Sequence, residues 1–474
     1  MINEIPQQAT SEMPTLGLTP ASLRVVRELG FGQWTPIQEQ AVPVLLCGAD
    51  LVGQSATGSG KTVAFGLPLL ERLALDAPQL QALVLCPTRE LATQVAGSIR
   101  ALARHRPGLR VVILAGGTPA TPQRQALEQG VHVAVGTPGR VLDHLARGLD
   151  LSSLTTIVLD EADRMLEMGF GVSVEKILSA APTERQTLFF SATFPQSIAA
   201  MSKRWQRKPI HITIADDAAT KPEIRQVAHV VAPADRLRAL VAVLRAHRPR
   251  SVLVFCNFKE TVRAVTTALT SAQFGAEALH GDLEQRDRDR VMAKFRNGTT
   301  PILVATDVAA RGLDISGLTA VIQFELATTP ATYVHRIGRT GRAGTPGLAI
   351  ALVVAADQQR LQACDKASGG CIEHMPLPTS TTAKVMASEN QSPVVVGTVE
   401  TLFISGGRVD KLRPSDILGA LTGDAGLQAT AIGRIEISDR FTYVALSAAA
   451  LQQLLRRHPT LRIKAHNFRV ERVR

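Results

Sequence analysis

Short apolar runs recur along the N-terminal half of the chain, and each alternates with a stretch whose apolar residues have helical spacing. In the helix predicted after the first run, Leu91, Val95, Ile99 and Leu102 fall on one face. The predicted strands are Ala82–Cys86, Val111–Leu114, His132–Val135, Thr156–Leu159 and Thr187–Phe190. This alternation predicts a parallel sheet with helices on both sides.

A second series of the same kind follows a break in the pattern. Residues Asp216–Pro222 are small, charged or proline, which indicates a linker between domains. The strands predicted beyond it are Ser251–Cys256, Ala276–Leu279, Pro301–Ala305, Ala320–Phe324 and Leu348–Val354. We therefore expect two α/β domains, at residues 1–215 and 222–370.

The C-terminal residues have a different pattern. Residues 375–393 are rich in Pro, Ser, Thr and Ala without clear periodicity, which predicts a second linker. Residues 394–474 then predict a small α+β domain. Its expected strands are Val399–Ile404, Phe441–Leu446 and Ile463–Val470, and its expected helices are Pro414–Leu421 and Ala448–Arg457.

The composition favours a chain of two or three domains with a polyanionic partner. The sequence has 474 residues, 45% of them apolar, and a net charge of +11. This length exceeds one ordinary domain, and the charge favours a nucleic acid or another anionic surface. Residues 394–474 hold 12 Lys and Arg against 7 Asp and Glu, a balance of +5 that is compatible with RNA binding or with a passive accessory domain.

Several other classes of protein are disfavoured. No apolar run approaches the roughly 18 residues of a membrane span, so we expect no membrane partner. The N-terminus carries Glu4 and Glu12 and no hydrophobic stretch, which argues against a secretory signal. The five cysteines lack C-x-x-C spacing and argue against disulfides or zinc. We expect Cys47, Cys86 and Cys256 to be core residues of a cytoplasmic protein.

A phosphate-binding loop is predicted after the apolar run that ends at Gly53. Its residues are Ser55, Ala56, Thr57, Gly58, Ser59, Gly60, Lys61 and Thr62. Glycines let backbone N–H groups converge on a phosphate, Lys61 adds charge for the β- and γ-phosphates, and Thr62 offers a hydroxyl to Mg²⁺. The strict pattern has glycine where Ser55 stands, so the match is imperfect.

Two carboxylates follow the buried strand predicted at Ile157–Leu159. Asp160 and Glu161 should lie at the carboxyl end of that strand, where open α/β sheets bind ligands. One suits coordination of Mg²⁺, and the other suits the attacking water. A solvated acidic turn would explain such a pair in isolation. Together with the upstream loop, the pair favours hydrolysis of a nucleoside triphosphate.

These motifs resemble those of the DEAD-box ATP-dependent RNA helicases. Residues 160–163 spell Asp-Glu-Ala-Asp, and further family motifs stand in order along the chain. They are Gly30–Phe31, Thr35–Gln38, Pro87–Leu91, Gly116–Gly117, Thr137–Arg140, Ser191–Thr193, His280–Gln285 with Arg288, Ala305–Asp314 and His335–Arg342. Any one of them is weak, but the ordered set is hard to obtain by chance. Residues 402–436 of the tail resemble the DbpA-type RNA-binding domain.

The resemblance implies an α/β fold of two RecA-like parallel-sheet domains, with ATP between them, and a small C-terminal α+β domain of RRM-like fold. The implied ATP contacts include Gln38 and Phe31 near the base and Asp314 at the ribose. Lys61, Asp160 and Glu161 keep the roles argued above, and Asp160 with Thr62 is expected to hold Mg²⁺. Arg339 and Arg342 resemble arginine fingers for the γ-phosphate. Residues expected to couple the nucleotide state to domain closure are Asp163, Ser191, Thr193 and His335.

The resemblance also implies RNA contacts that do not read sequence. In the core these are Arg89, Gly117, Thr137, Gly139, Arg140, Arg288 and Thr306, where small residues let phosphates approach backbone N–H groups. In the tail, Phe441 and Tyr443 are alternate residues without a third aromatic residue to form a stacking trio. We therefore weigh the sheet against a loop face that contains Arg408, Lys411 and Arg413.

Two departures from the family pattern concern nucleotide affinity, and the target has alternatives. Met13 stands where the family usually has an aromatic residue, and Ser55 where it usually has alanine.

We expect a monomeric helicase that acts on structured RNA, by family likeness large-subunit ribosomal RNA during ribosome assembly. The alternatives are an ATP-gated RNA clamp, disfavoured by the intact Glu161 and arginine fingers, and a translocase on DNA.

Overall fold

The structure is a computed structural model that describes residues 13–56, 58–214, 223–310, 318–341, 346–378 and 399–473. The chain divides into two compact units at about residue 221. Across the described ranges, no helix combines the length and the apolar character that crossing a membrane requires.

The first unit is built on a parallel sheet of seven strands among its described residues. The strands are β1 (Leu51–Gln54), β2 (Ala82–Leu85), β3 (Val111–Leu114), β4 (Val133–Gly136), β5 (Thr156–Asp160), β6 (Gln186–Ser191) and β7 (Ile210–Thr213). Their spatial order is β3-β4-β2-β5-β6-β1-β7. Strands β2 and β5 are buried along their whole length, as expected for a parallel sheet covered on both faces.

Helices cover both faces of this sheet, and two apolar clusters form the layers between helices and strands. The helices are α1 (Pro20–Glu28), α2 (Pro36–Leu46), α3 (Lys61–Glu71), α4 (Arg89–Leu102), α5 (Ala120–Glu128), α6 (Pro138–Leu145), α7 (Ala162–Glu167), α8 (Gly171–Ala180) and α9 (Gln196–Trp205). Met13 packs on the edge of one cluster.

The second unit contains a parallel sheet with the same topology. Its strands are β8 (Ile224–Val230), β9 (Val252–Cys256), β10 (Ala276–Leu279), β11 (Ile302–Thr306), β12 (Ala320–Gln323), β13 (Gly347–Val353) and β14 (Ile372–His374). Their order, β10-β11-β9-β12-β13-β8-β14, repeats that of the first sheet strand for strand. The associated helices are α10 (Arg236–His247), α11 (Lys259–Ser271), α12 (Gln285–Arg296), α13 (Asp307–Ala310), α14 (Pro330–Ile337) and α15 (Gln358–Ser368).

The same unit also contains the C-terminal α+β domain. Its strands are β15 (Val399–Ile404), β16 (Ile432–Ile437), β17 (Thr442–Ser447), β18 (Thr460–Ile463) and β19 (His466–Arg472), and its helices are α16 (Pro414–Thr422) and α17 (Ala448–Arg457). The strands form an antiparallel sheet in the order β16-β17-β15-β19-β18. The expected fold class is therefore confirmed.

Four strands were not predicted, and each lacks a continuous apolar run. In β7, three of the four residues are exposed. In β8, buried Gln226 and His229 interrupt the pattern, and both have internal partners: Tyr333 donates to Gln226 at 3.0 Å, and His229 Nδ1 lies 2.9 Å from the Met375 carbonyl. Strand β14 is short, and it extends the second parallel sheet past residue 370, the boundary expected from the sequence. In strand β16, apolar and polar residues alternate only weakly, and no residue is fully buried.

Two other expectations were wrong. The single strand expected at Ile463–Val470 is a hairpin, because the chain turns at Lys464 with φ +58° and pairs β18 with β19. Cys47 is exposed, since it caps the C-terminus of α2 at the surface. Cys86 and Cys256 are core residues as expected, and burial raises the pKa of both thiols.

Candidate nucleotide and RNA sites

The candidate nucleotide residues of the first unit lie at one edge of its sheet. Strands β5, β6 and β1 are neighbours, and their carboxyl ends lead into Asp160, Ser191 and the loop that begins at Ser55. The carboxyl edge of an open parallel sheet is where such folds bind ligands. Residues more than 100 positions apart in the chain are therefore brought to one place.

The phosphate-binding loop closes on the ammonium group of Lys61. Lys61 Nζ donates to the carbonyls of Ser55 at 2.7 Å and Ala56 at 2.9 Å, and it is nearly buried. Gly58 and Gly60 have φ of +87° and +93°, a region that favours glycine. The hydroxyls of Ser55 and Ser59 lie 2.8 Å apart, so Ser55 adds a bond across the loop. Thr57 lies outside the described residues.

Gln38 is buried against this loop. Its Nε2 donates to the Gly60 carbonyl at 3.2 Å, and its Oε1 accepts from the Thr35 backbone N–H at 3.0 Å. An amide side chain has two N–H donors and two acceptor lone pairs, so one of each remains for a ligand. Phe31, in the loop between α1 and α2, is 36% exposed. These two placements are compatible with the expected contacts to a base.

Asp160 carries a buried charge at the end of β5. Burial, together with the nearby carboxylate of Glu161, raises the pKa of Asp160 to about 7, although Lys61 opposes that shift. Glu161 follows with φ +53°, in the left-handed region that a non-glycine residue adopts at a cost in strain. Glu161 is half-buried beside Asp160.

The repulsion among these carboxylates is what a divalent cation would relieve. Burial is the main cause of the raised pKa of Asp160; the carboxylates of Glu161 and Asp163 add to the shift, and Lys61 opposes it. Thr62 stands directly after Lys61 at the start of α3, so its hydroxyl is available as a second oxygen ligand. The residues present therefore fit a magnesium ion. In the described ranges no group of three or more His, Cys, Asp and Glu side chains is arranged to hold a metal by itself.

Asp163 connects the end of β5 with the turn after β6. Its Oδ2 accepts from the backbone N–H of Thr193 at 2.9 Å and from the Thr193 hydroxyl at 2.7 Å. Ser191 completes the link, because its hydroxyl donates to the Thr193 carbonyl at 2.6 Å and accepts from the Asp163 N–H at 3.3 Å. The structure thus joins three of the four residues expected to act in coupling.

The candidate RNA residues of the first unit occupy the other half of the same edge. Gly117 follows β3, Thr137, Gly139 and Arg140 follow β4, and Arg89 begins the helix after β2. A side chain at Gly139 would meet no atom within 4 Å, so a phosphate has room to approach the backbone there. Nη1 of Arg89 is buried and has no hydrogen-bond partner among the described residues.

Gln123 is a positioning residue that the sequence does not reveal. It is buried in α5, and its Nε2 donates to the Ala115 carbonyl at 3.0 Å, which braces the loop that contains Gly117. Its Oε1 accepts from Arg140 Nη1 at 3.1 Å and lies 3.0 Å from His144 Nε2. A glutamine in an otherwise polar helix carries no signal for such a role.

The second unit places Thr306 and Arg288 together at its own carboxyl edge. Thr306 ends β11, and Arg288 Nη2 donates to the carbonyl of Ala309 in the adjoining helix α13 at 2.6 Å. His335 lies in α14, and Arg339 follows the end of that helix. Asp314 and Arg342 lie outside the described residues.

Arg336 is a second positioning residue that sequence reasoning missed. Only 1% of its side chain is exposed, and it forms a bidentate pair with Asp307, with both N···O distances 2.7 Å. It also donates to Asn257 Oδ1 and to the Glu325 carbonyl, each at 2.7 Å. The helix that leads to Arg339 is thereby fixed to the start of α13, directly after Thr306. The only sequence feature that could have indicated this role is that Arg336 lies within the motif His335–Arg342.

The sheet of the C-terminal domain does contain an aromatic trio, contrary to expectation. Phe403 of β15 lies beside Phe441 and Tyr443, with ring centroids 5.2 to 6.0 Å apart. Sequence spacing shows only the two alternates, because Phe403 is supplied by antiparallel register, in which it pairs with Tyr443. Tyr443 is buried, and burial raises its pKa to about 12 in surroundings that include Asp289 of α12.

The C-terminal end of α12 and the residues after it occupy this sheet face. Arg296 makes a bidentate pair with Glu436 at 2.9 and 2.7 Å. Just beyond the helix, Asn297 donates to the Thr401 hydroxyl at 3.1 Å, and the Thr299 and Thr401 hydroxyls lie 2.8 Å apart. Thr401 is fully buried. The face that an RRM uses for stacking is thus partly covered by the neighbouring sheet domain.

The loop face remains open to solvent. Arg408, Lys411 and Arg413 are all exposed and lie within six consecutive residues between β15 and α16. None of the three forms an ion pair within the part of the chain that the structure describes. Lys464, in the β18–β19 turn, donates to the Lys411 carbonyl at 2.7 Å and adds a fourth cation, paired with Asp416.

The buried charge of Asp160 predicts a pH-dependent effect of Asp160→Asn on stability. The pKa of Asp160 is about 7 in the folded protein and ordinarily 3.8, so the folded state binds this proton more tightly. Protonation of Asp160 therefore stabilises the folded state. This contribution to the free energy of unfolding is complete below about pH 4 and is lost as the pH rises through about 7. We expect Asp160→Asn, with metal removed by chelation, to raise the free energy of unfolding at pH 8 by on the order of 2 kcal/mol.

The measurement is urea unfolding of both proteins between pH 5 and pH 8. The advantage of the asparagine variant should shrink towards pH 5, where the wild-type carboxyl is protonated. Asp163→Asn is the matched control: because Asp163 accepts two bonds from Thr193, its variant should be less stable throughout. An Asp160→Asn variant that is less stable than wild type at pH 8 would contradict the assigned burial cost.

Comparisons with known families divide the chain as the sheets do. Residues 35–201 match the DEAD/DEAH box helicase family, residues 235–344 the helicase conserved C-terminal domain, and residues 401–472 the DbpA RNA binding domain. These three matches together span most of both units.

Individual relatives agree with these matches. The chain is 45% identical to the ATP-dependent RNA helicase DbpA of Escherichia coli strain K12, over 96% of this chain and 97% of that protein. It is 42% identical to the DEAD-box ATP-dependent RNA helicase CshA of Bacillus cereus, over 77% of this chain and 69% of the relative. A structure of S. cerevisiae Dbp5 bound to RNA and ADP BeF3 superposes with a TM-score of 0.70 at 31% identity, covering 79% of this chain and 98% of that one. The chain therefore belongs to the DEAD-box ATP-dependent RNA helicases, with a C-terminal RNA-binding domain of the DbpA type.

Proposed function

We propose that this helicase hydrolyses ATP at the edge formed by β5, β6 and β1 and is directed by its C-terminal domain to one structured RNA. The observation that carries the proposal is the juxtaposition of the Lys61 loop with the buried Asp160 and the strained Glu161. A cation, a buried carboxylate and a half-buried carboxylate at one sheet edge are what phosphoryl transfer to water needs.

Each residue has a distinct proposed role. Lys61 and the loop N–H groups bind the β- and γ-phosphates. Glu161, beside Asp160, orients the attacking water and accepts its proton. Thr62 and Asp160 hold Mg²⁺, which when bound neutralises phosphate charge. Arg339 and Arg342 supply positive charge to the transferred phosphoryl group.

Glu161→Gln is expected to retain ATP and RNA binding but lose turnover. Glutamine keeps the size and hydrogen-bonding capacity of the side chain but cannot accept the proton of the water, so the rate of hydrolysis should fall by on the order of 10²-fold or more. RNA-stimulated release of phosphate and binding of a fluorescent ATP analogue measure the two properties separately.

The matched control for this variant is Glu167→Gln, a carboxylate six residues away on α7 that pairs with Arg164 at 2.8 Å. It should hydrolyse ATP normally. Near-normal turnover by Glu161→Gln would exclude Glu161 as the base, and turnover unaffected by any RNA would contradict the proposed dependence on RNA.

Adenine is proposed to be read by Gln38. The remaining donor and acceptor of its amide suit the adenine edge, whereas guanine presents the opposite pattern. ATP should support RNA-stimulated hydrolysis and GTP should not, and Gln38→Ala should mainly weaken nucleotide binding. Equal rates with both nucleotides in the wild-type protein would show that only phosphates are recognised. Gln54→Ala, also near the loop but directed to the Ala192 carbonyl, is a suitable comparison.

The C-terminal domain is proposed to select the RNA through its loop face. The core candidates are glycine, threonine and arginine residues suited to contact the RNA backbone, and such contacts do not distinguish sequences. The sheet face is partly covered around Thr401 and Tyr443, while Arg408, Lys411 and Arg413 are exposed. By likeness to the DbpA type, we propose that the selected RNA belongs to the large ribosomal subunit during its assembly, and that the protein acts as a cytoplasmic monomer.

Charge reversal at Arg408, Lys411 and Arg413 should abolish preference for the selected RNA while leaving basal ATPase with unspecific RNA. Log affinity decreases with log salt, and each phosphate contact to a single strand contributes about 0.7 to the steepness of that decrease. Loss of three contacts should therefore make the slope shallower by about 2. Titrations of several structured RNAs, including fragments of large-subunit ribosomal RNA, at three salt concentrations measure both quantities.

The control is a triple reversal with the same change of charge at Arg456, Arg457 and Arg462, which are exposed elsewhere in the domain. This variant should bind all the RNAs more weakly by a similar factor, and the order of its affinities for them should stay the same. If the loop-face variant still discriminates among the RNAs as the wild type does, the loop face is not the selective surface.

A further inference from the structure

Phe258 is an exposed aromatic residue in a position that a capping residue would fill. It is the N-cap of α11, 63% of it is exposed, and its side chain makes no capping bond. Ser, Thr, Asp and Asn are the residues that satisfy free N–H groups at a helix start, and phenylalanine does not. An exposed aromatic residue here adds nothing to the core and leaves the helix uncapped.

The repeated topology shows what stands at the equivalent position of the first unit. Strand β9 occupies the place of β2, and α11 that of α4. The N-cap of α4 is Thr88, whose hydroxyl accepts from the Leu91 N–H at 3.3 Å. Arg89, the next residue, is a proposed RNA contact. Phe258 therefore replaces a capping threonine at the edge that corresponds to the RNA half of the first sheet.

Phe258 is held in place by its neighbours. The Asn257 side chain, just before it, accepts from Arg336 at 2.7 Å and donates to the Leu326 carbonyl at 3.1 Å. The backbone N–H of Asn257 donates to Glu325 Oε2 at 2.7 Å. Three bonds on one residue fix where the chain enters α11. The exposed ring is thus presented from a rigid backbone.

The surroundings of Phe258 are those of the proposed RNA surface. Strands β10, β11 and β9 are neighbours, and Cys256 is in register with Thr306, so the segments that follow these strands start side by side. Lys259 and Arg263 both pair with Asp282, at 3.1 and 2.9 Å, which ties α11 to the turn after β10. In that turn, a side chain at Gly281 would meet no atom within 4 Å.

We propose that Phe258 stacks on a base of single-stranded RNA bound at this edge. The inference rests on the proposed RNA-dependent ATPase and adds a base contact to a surface whose other candidates recognise only the backbone. Every base has a π-face, so stacking would strengthen binding without selecting a sequence. The Phe258 ring is surrounded by polar segments and cations rather than by other apolar side chains. A planar base can stack on such an isolated ring.

Phe258→Thr is the discriminating variant, because threonine removes the ring and supplies the missing cap. It should unfold at the wild-type temperature or above, yet bind unstructured RNA on the order of 10-fold more weakly. Phe258→Trp should bind as the wild type does. The probe is an unstructured RNA that contains 2-aminopurine, titrated with the full chain in the presence of a non-hydrolysable ATP analogue. Stacking should quench the fluorescence of 2-aminopurine when the wild type or Phe258→Trp binds. Phe258→Thr should quench it less.

Val172→Thr is the control, since Val172 is 68% exposed in α8 of the first unit. It should leave affinity and quenching unchanged. If Phe258→Thr matches wild type in both readouts, the inference is overturned and the ring serves a protein partner or no ligand. If the wild-type protein itself neither binds RNA nor is stimulated by it, the proposed function fails instead.

Discussion

The burial of the Asp160 carboxylate beside the Lys61 ammonium is the interaction on which the nucleotide site depends. A charge taken out of water is tolerated only with partners, and the raised pKa of Asp160 shows that the protein alone does not fully provide them. A bound cation next to the carboxylate would lower its pKa again. The site is therefore organised to be completed by its ligands, and Gly60 and Glu161 hold the backbone conformations that keep both charges in place.

Both parallel sheets arrange their carboxyl edges in the same way. In each, candidate RNA residues lie in the segments after adjacent strands, and a buried side chain braces those segments from behind. In the first unit that brace is Gln123, which bonds the loop after β3 and Arg140. In the second it is Arg336, which bonds Asp307 and Asn257. The candidate contact residues lie at the edge, and the buried amide or guanidinium fixes the segments that carry them.

The central strands and the motif residues were predictable because their signals are local. A continuous apolar run such as Ile157–Leu159, followed directly by acids, specifies a buried strand and its functional end without reference to the rest of the chain. The braces and the edge strands were not predictable from that pattern. Gln123 and His229 look like surface polar residues in sequence, and only tertiary contacts bury them. The aromatic trio was missed for a related reason, since Phe403 joins Phe441 and Tyr443 through strand register rather than spacing.

In the C-terminal domain, contacts with the neighbouring sheet domain partly cover the sheet face and leave the loop face exposed. Its sheet has the aromatic residues that would let it stack bases, but the same face supplies Glu436 and Thr401 to the end of α12 and to Asn297 beyond it. A bidentate arginine–carboxylate pair and a buried threonine hydroxyl are directional contacts, so they fix orientation as well as contact. A loop face held in this way has a set position relative to Thr306 and Arg288 within the same unit. An RNA bound through Arg408, Lys411 and Arg413 would consequently meet the second sheet domain from a defined direction, which a freely tethered domain could not provide.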